Sequence, residues 1–169
     1  MRKYVFYSVL FVFIISCSAL AQNNLDGFFD IKWGETVSRA SNILENKNCS
    51  VWTANDKVVL ANGIFAGYEG SITLRFNEGK FYNGEVNYDD KTTELDYKQF
   101  IDNLKEKYGE PNIKDNIGEN RFGERYKYSV WEFKNNCIIT LTYYFNLGIT
   151  IDYENKTIGN RGNVNINDL

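Results

Sequence analysis

Histidine is missing from this chain altogether. Its absence removes the commonest general base, the Ser-His and Cys-His nucleophile pairs, and the imidazole ligands of most zinc, copper and non-haem iron sites. Any catalysis would fall to carboxylates, Lys or Tyr. Basic charge is short too, with 19 Lys and Arg against 22 Asp and Glu. Basic clusters such as residues 121–127 are diluted by Glu119 and Glu124, so no basic stripe forms. That argues against nucleic acid and anionic membrane surfaces as main partners. No apolar run is long enough to span a bilayer as a helix. Phosphate-binding glycine signatures are absent, because Gly63, Gly67 and Gly70 follow neither a G-x-G-x-x-G nor a Walker pattern. With no calcium-loop motif and no closely spaced cysteines, no metal or cofactor is expected.

What apolar sequence there is gathers first at the start. Arg2 and Lys3 precede an apolar stretch over residues 4–15, and small residues then end at Ala19-Leu20-Ala21. A positive start, a short apolar segment and an A-x-A site read as a secretory signal peptide over residues 1–21, cleaved after Ala21. The mature chain is then periplasmic or extracellular. Ile14-Ile15-Ser16-Cys17 competes as a lipobox. In that case Cys17 is lipidated and anchors the protein to the envelope. The A-x-A site is the cleaner match, so free release is the expectation.

Residues 22–156 make one domain, followed over 157–169 by an Asn- and Gly-rich tail expected to be poorly ordered. Losing Arg2 and Lys3 takes the formal charge, −3 for the whole chain, two units further negative. Of the three cysteines, Cys49 and Cys137 survive processing. In an oxidising compartment such a pair is a disulfide candidate, with two separate buried thiols as the other reading.

The best-specified element is a helix over 95–108. Tyr97, Phe100, Ile101, Leu104 and Tyr108 fall on one face, Thr93 and Asp96 resemble a capping box, Gly109 suits a C-cap and Pro111, the only proline, forbids continuation. A weaker helix over 36–46 is capped by Thr36 and carries Val37, Ala40, Ile43 and Leu44 as its apolar stripe. Before it, Phe28, Phe29, Ile31 and Trp33 read as an extended stretch packed under the helix. The rest is strand-like: 50–54, 57–61, a hairpin turning at 77–80, and three later runs over 126–133, 137–144 and 147–153. Residues 64–70 read as glycine bends, and 112–125, which lacks a period, reads as a mobile loop.

An internal likeness runs through these strands. Ile72-Thr73-Leu74-Arg75-Phe76 resembles Ile139-Thr140-Leu141-Thr142-Tyr143, and residues 86–92 resemble 151–157. Either two similar halves exist, or strands rich in Tyr, Thr and Ile are alike by chance. In both cases the expected class is α+β, an antiparallel sheet with two helices packed on one face.

Trp33-Gly34-Glu35-Thr36 opening the first helix, and residues 104–108 leading into Gly109-Glu110-Pro111, resemble small secreted bacterial domains with a W-G-x-S/T opening and a Y-G-x-P helix exit. The pattern is also similar to outer-membrane assembly lipoproteins of the BamE/SmpA type and to β-lactamase-inhibitor-like modules. The resemblance implies an envelope protein that binds other proteins and has no catalysis of its own. The assembly lipoproteins are shorter, so none of their partner-binding residues transfers.

Carboxylates approach each other at Asp89-Asp90 and at Asp152 with Glu154. A hydrolase needs two acids across a cleft, one with a raised pKa. Asp152 and Glu154 share the strand face opposite Ile151 and Tyr153, so they read as solvated and unshifted. Aromatic residues are in excess, at 16%. Tyr68, Tyr82, Tyr88, Tyr143, Tyr144 and Tyr153 could line a sheet face that meets a glycan or a protein. The sequence thus points to a secreted, non-enzymatic module that binds an envelope protein or glycan. A carboxylate-dependent hydrolase of cell-wall or glycan material is the rival.

Overall fold

The computed structural model describes residues 24–89, 91–145 and 147–160. The expected signal peptide, with Ala21 and Cys17, lies outside the described residues.

The chain opens with a tiny hairpin, β1 (Gly27–Phe28) and β2 (Ile31–Lys32), then α1 (Val37–Asn46). Four strands follow as a meander: β3 (Ser50–Ala54), β4 (Val58–Phe65), β5 (Tyr68–Asn77) and β6 (Lys80–Asn87). After α2 (Glu94–Tyr108) comes a second meander, β7 (Ile113–Glu119), β8 (Arg125–Glu132), β9 (Cys137–Tyr144) and β10 (Gly148–Asn155), and a single turn, α3 (Lys156–Gly159). Apart from β1 and β2, the strands form one antiparallel sheet in the order β3-β4-β5-β6-β10-β9-β8-β7. The meanders join where β6 pairs with β10, and Val86 faces Ile151 across that seam.

The expected α+β class is corrected by this arrangement. Among the described residues strand accounts for 49% and helix for 21%, so the protein is mostly β rather than two helices laid on a sheet. Helices announce themselves in sequence by caps and a stripe, whereas β7 of the main sheet carries no such local signal. Residues 112–125, expected as a mobile loop, hold β7 and a tight turn organised by Asn120, whose Oδ1 accepts from the backbone of Phe122 and Glu124 at 3.0 Å. Every β7 residue except Gly118 is exposed, so the strand shows no apolar alternation. Residues 64–70 are likewise not a string of bends. β4 runs on to Phe65, the chain turns at Ala66 and Gly67, and Gly63 pairs with Gly70 inside the strands. At Gly63 a side chain would collide with Cys49, and at Gly70 with Val86 and the backbone of Asn87. Both glycines mark close packing. Of the expected tail, residues 157–159 belong to α3, capped by Asn155, and residues 161–169 lie outside the described residues.

One core collects the apolar residues of these elements. Ile72, Leu74, Val86, Ile139, Leu141, Ile149 and Ile151 fill it from the sheet, with Ala40 and Leu44 of α1 and Tyr97, Phe100, Ile101 and Leu104 of α2. Trp131 is fully buried and its Nε1 donates to the carbonyl of Gly109 at 2.8 Å, fixing the end of α2 to the sheet. Burial of a large aromatic removes on the order of 150–250 Å² from water, so such contacts dominate the helix–sheet packing. Among the described residues, no helix is long and apolar enough to cross a membrane.

Candidate functional site

Alternation along the strands gives the sheet a second face, directed away from this core. On it, one residue from each of the eight strands falls in a single cross-strand row. From edge to edge it runs Ser50, Asn62, Ser71, Asn87, Thr150, Thr142, Tyr128 and Asn116, each the register partner of the next. Every member carries a hydroxyl or an amide. With strands about 4.8 Å apart, the row is roughly 34 Å long.

Several members are fixed by their neighbours. Thr150 Oγ1 donates to Asn87 Oδ1 at 2.7 Å, Asn87 Nδ2 donates to Glu85 Oε1 at 2.5 Å, and Asn116 Nδ2 donates to the Tyr128 hydroxyl at 2.5 Å. Near one end, Ser50, Asn62, Ser71 and Asn87 border a cleft of about 500 Å³, together with Asn48, Glu69 and Asp89. Towards the other, the Tyr126 ring packs with Tyr128 and Tyr144 at centroid distances of 5.7 and 5.4 Å. Tyr126 lies flat over β7 because Gly118 has no side chain there; a Cβ would meet Cζ of the ring at 2.5 Å. Tyr144 also borders a cleft of about 440 Å³ with Phe145 and Leu147.

A charged network lies beside the row. Arg75 Nη1 contacts Glu85 at 2.7 Å and donates to Asn83 Oδ1 at 2.6 Å, while Asn83 Nδ2 donates to Asp152 Oδ1 at 2.7 Å. Glu85 and Asp152 are register partners across the seam. Burial pushes the Asp152 carboxyl from its ordinary 3.8 up to about 6, and the charges of Glu85 and Glu154 push the same way against the Asn83 hydrogen bond and Arg75. The expectation that Asp152 is solvated and unshifted is therefore corrected. Its strand face is open, but in mid-sheet the flanking side chains shield it; Asn83 is only 6% exposed and Thr142 8%. Burial also raises the Tyr82 hydroxyl, with Arg75, Glu154 and Asp152 as its charged neighbours.

The tyrosines named from the sequence divide between the faces. Tyr88 and Tyr153 are core residues, and Tyr68 and Tyr143 pack against the core. Tyr82 and Tyr144 belong to the polar side, joined by Tyr126 and Tyr128, which sequence reading passed over. Alternation along β8 could have found both: Ser129 and Trp131, which follow them on the other face of the strand, are buried.

Cys49 and Cys137 do not form the expected disulfide; both are buried free cysteines. Cys49 precedes edge strand β3 and Cys137 opens β9, with β4, β5, β6 and β10 between. That is roughly 24 Å of sheet width, against about 7 Å at most between the Cα atoms of a bridge. Burial pushes the Cys137 thiol up to about 11 and raises that of Cys49 as well. Among the described residues, no three His, Cys, Asp or Glu side chains group as a metal ion would require. Compared with family models, with curated proteins and with solved structures, the chain matches none.

Proposed function

We propose that this protein is a secreted, non-catalytic binding module of the bacterial envelope, and that an extended β-linked glycan lies across its polar sheet face. The observation that carries this reading is the uninterrupted row of hydroxyl and amide groups spanning all eight strands. Strand spacing repeats these groups at an interval close to the rise per sugar in such a glycan. Each ring hydroxyl can therefore meet a donor or acceptor in turn. Tyr126, Tyr128 and Tyr144 supply an amphipathic surface suited to the apolar face of a sugar. Hydrogen bonds already made within the row hold it in place, which lowers the entropy cost of binding. The resemblance of the Trp33-Gly34-Glu35-Thr36 opening to envelope modules points to the same compartment.

Cosedimentation of the processed protein with purified cell-wall sacculi, and with chitin as a second β-linked glycan, tests the reading. Retention that drops about tenfold in Asn87→Ala/Tyr128→Ala, with the fold intact by circular dichroism, is the expected result. Retention on neither glycan, or equal retention of the variant, overturns it. Retention abolished by protease treatment of the sacculi assigns the face to a protein partner instead.

One observation favours the hydrolase reading: Asp152, raised to about 6, stands opposite Glu85. Both acids are committed within the sheet, Glu85 to Arg75 and Asp152 to Asn83. Turnover of sacculi that disappears in Asp152→Asn would establish it.

A further inference from the structure

On the core side of the sheet, far from the polar row, the β1–β2 hairpin, the end of β4 and the last turn of α2 enclose a cleft of about 540 Å³. That is an ordinary size for a small-molecule site. We propose that it binds a small, flat, apolar molecule carrying one anionic group, such as an aromatic or fused-ring carboxylate or sulfonate.

The floor is aromatic and fixed. Phe28 stacks on Phe65 at 5.3 Å and meets Tyr153 at 5.1 Å, and Phe28 and Tyr153 are 2% and 4% exposed. The partly buried Phe29 and Phe65 line the cleft, and the buried Phe28 and Tyr153 beneath them hold that aromatic surface without reorganisation.

The wall is strained. Phe29 and Asp30 form the hairpin turn with φ of +53° and +68°. Glycine or asparagine suits a two-residue turn of this kind, and a left-handed phenylalanine costs about 1–2 kcal/mol. The surroundings hold it there: Lys47 pairs with Asp30 at 2.5 Å, its ammonium lies 4.8 Å from the Phe29 ring, and that ring meets the edge of Phe65 at 5.2 Å. The result is an aromatic side chain beside the cleft. Backbone strain retained in this way clusters at binding sites.

The rim supplies the charge. Asp30 is taken up by Lys47, which leaves Lys32, Lys107 and Asp26 around the opening. Among the described residues neither Lys32 nor Lys107 forms an ion pair, and the Lys107 ammonium rests 5.1 Å over the Tyr108 ring. Counting Lys47, three lysines stand against Asp26 and Asp30, and this positive excess favours an anion at the mouth of the cleft.

Two dyes with the same ring system test the pairing of floor and rim: anilinonaphthalene sulfonate, which carries the anion, and N-phenylnaphthylamine, which lacks it. Equilibrium fluorescence titration of the native protein should show one sulfonate dye per chain, bound more tightly than the neutral dye. Lys32→Gln/Lys107→Gln should weaken the sulfonate dye about tenfold and leave the neutral one unchanged. Phe29→Asn, which relieves the turn and so keeps the fold, should weaken both. Unsaturable binding, equal affinity for the two dyes, or unchanged sulfonate binding in the double lysine variant would overturn the proposal. None of these outcomes bears on the glycan reading, since the polar row lies on the other face.

Discussion

Asp152 shows how far a residue's surroundings can depart from its place in a pattern. Its carboxyl ionises near pH 6 in the folded chain against 3.8 as an ordinary carboxylate. Between those values the native state holds a proton that the unfolded chain releases, so this group's contribution is fullest below about pH 4 and is lost as pH rises through 6. Asp152→Asn lacks that titration. Thermal melts at several pH values should show the variant gaining on the parent from pH 4 to pH 7, by up to a few kcal/mol at the upper end. A pH-independent difference would mean that Asp152 is not shifted. Cys49 and Cys137 give a second test at this scale. Buried, with raised pKa, they should resist a disulfide-exchange reagent in the native protein and both react after denaturation, and a reductant should leave the melting temperature unchanged. Neither result was legible in the sequence. Alternation fixes which face Asp152 occupies, not how neighbours on three strands shield it, and cysteine spacing along the chain says nothing about strand order.

At the scale of elements, what could be read locally was read. The capping box on α2 is present: Thr93 Oγ1 accepts from Asp96 N at 3.4 Å, and Asp96 Oδ2 accepts from Thr93 N at 2.7 Å. Gly109 closes the helix with φ +84°. Thr36 caps α1, and Glu78-Gly79 turns β5 into β6 with positive φ at both residues. Thr93→Ala should therefore cost about 1 kcal/mol, read as a lower urea midpoint at constant slope. Part of that loss will come through Asp96, whose carboxyl the Thr93 hydrogen bonds hold below its ordinary range. Elements defined by non-local pairing escaped notice. β7 is exposed except at Gly118 under the Tyr126 ring and is recognisable only from its hydrogen bonding to β8, and the Gly63–Gly70 pair reads as two bends until β4 and β5 are laid side by side.

For the whole molecule, the expected α+β class differs from the mostly β fold because caps and periodicity make a helix conspicuous out of proportion to its length. The polar row had no signal in one dimension at all. Its members lie on eight separate strands, and only strand order and register bring them into line. The same continuity predicts a single cooperative unfolding transition, since the core runs without a break through the β6–β10 seam. Tryptophan fluorescence, to which the buried Trp131 contributes, and far-ultraviolet circular dichroism should trace coincident urea curves. Separate midpoints would show that the two meanders melt independently.

Strand order also governs when this molecule can come into being. Among the described residues the last strand to be synthesised, β10, is inserted at the centre of the sheet between β6 and β9. A polypeptide that emerges amino end first, from a ribosome or a translocation pore, must leave the edge of β6 bare until residue 155 is free. Each newborn copy thus passes through an adhesive interval, and escort by a holding chaperone over that interval would set its yield more than the depth of its native energy well.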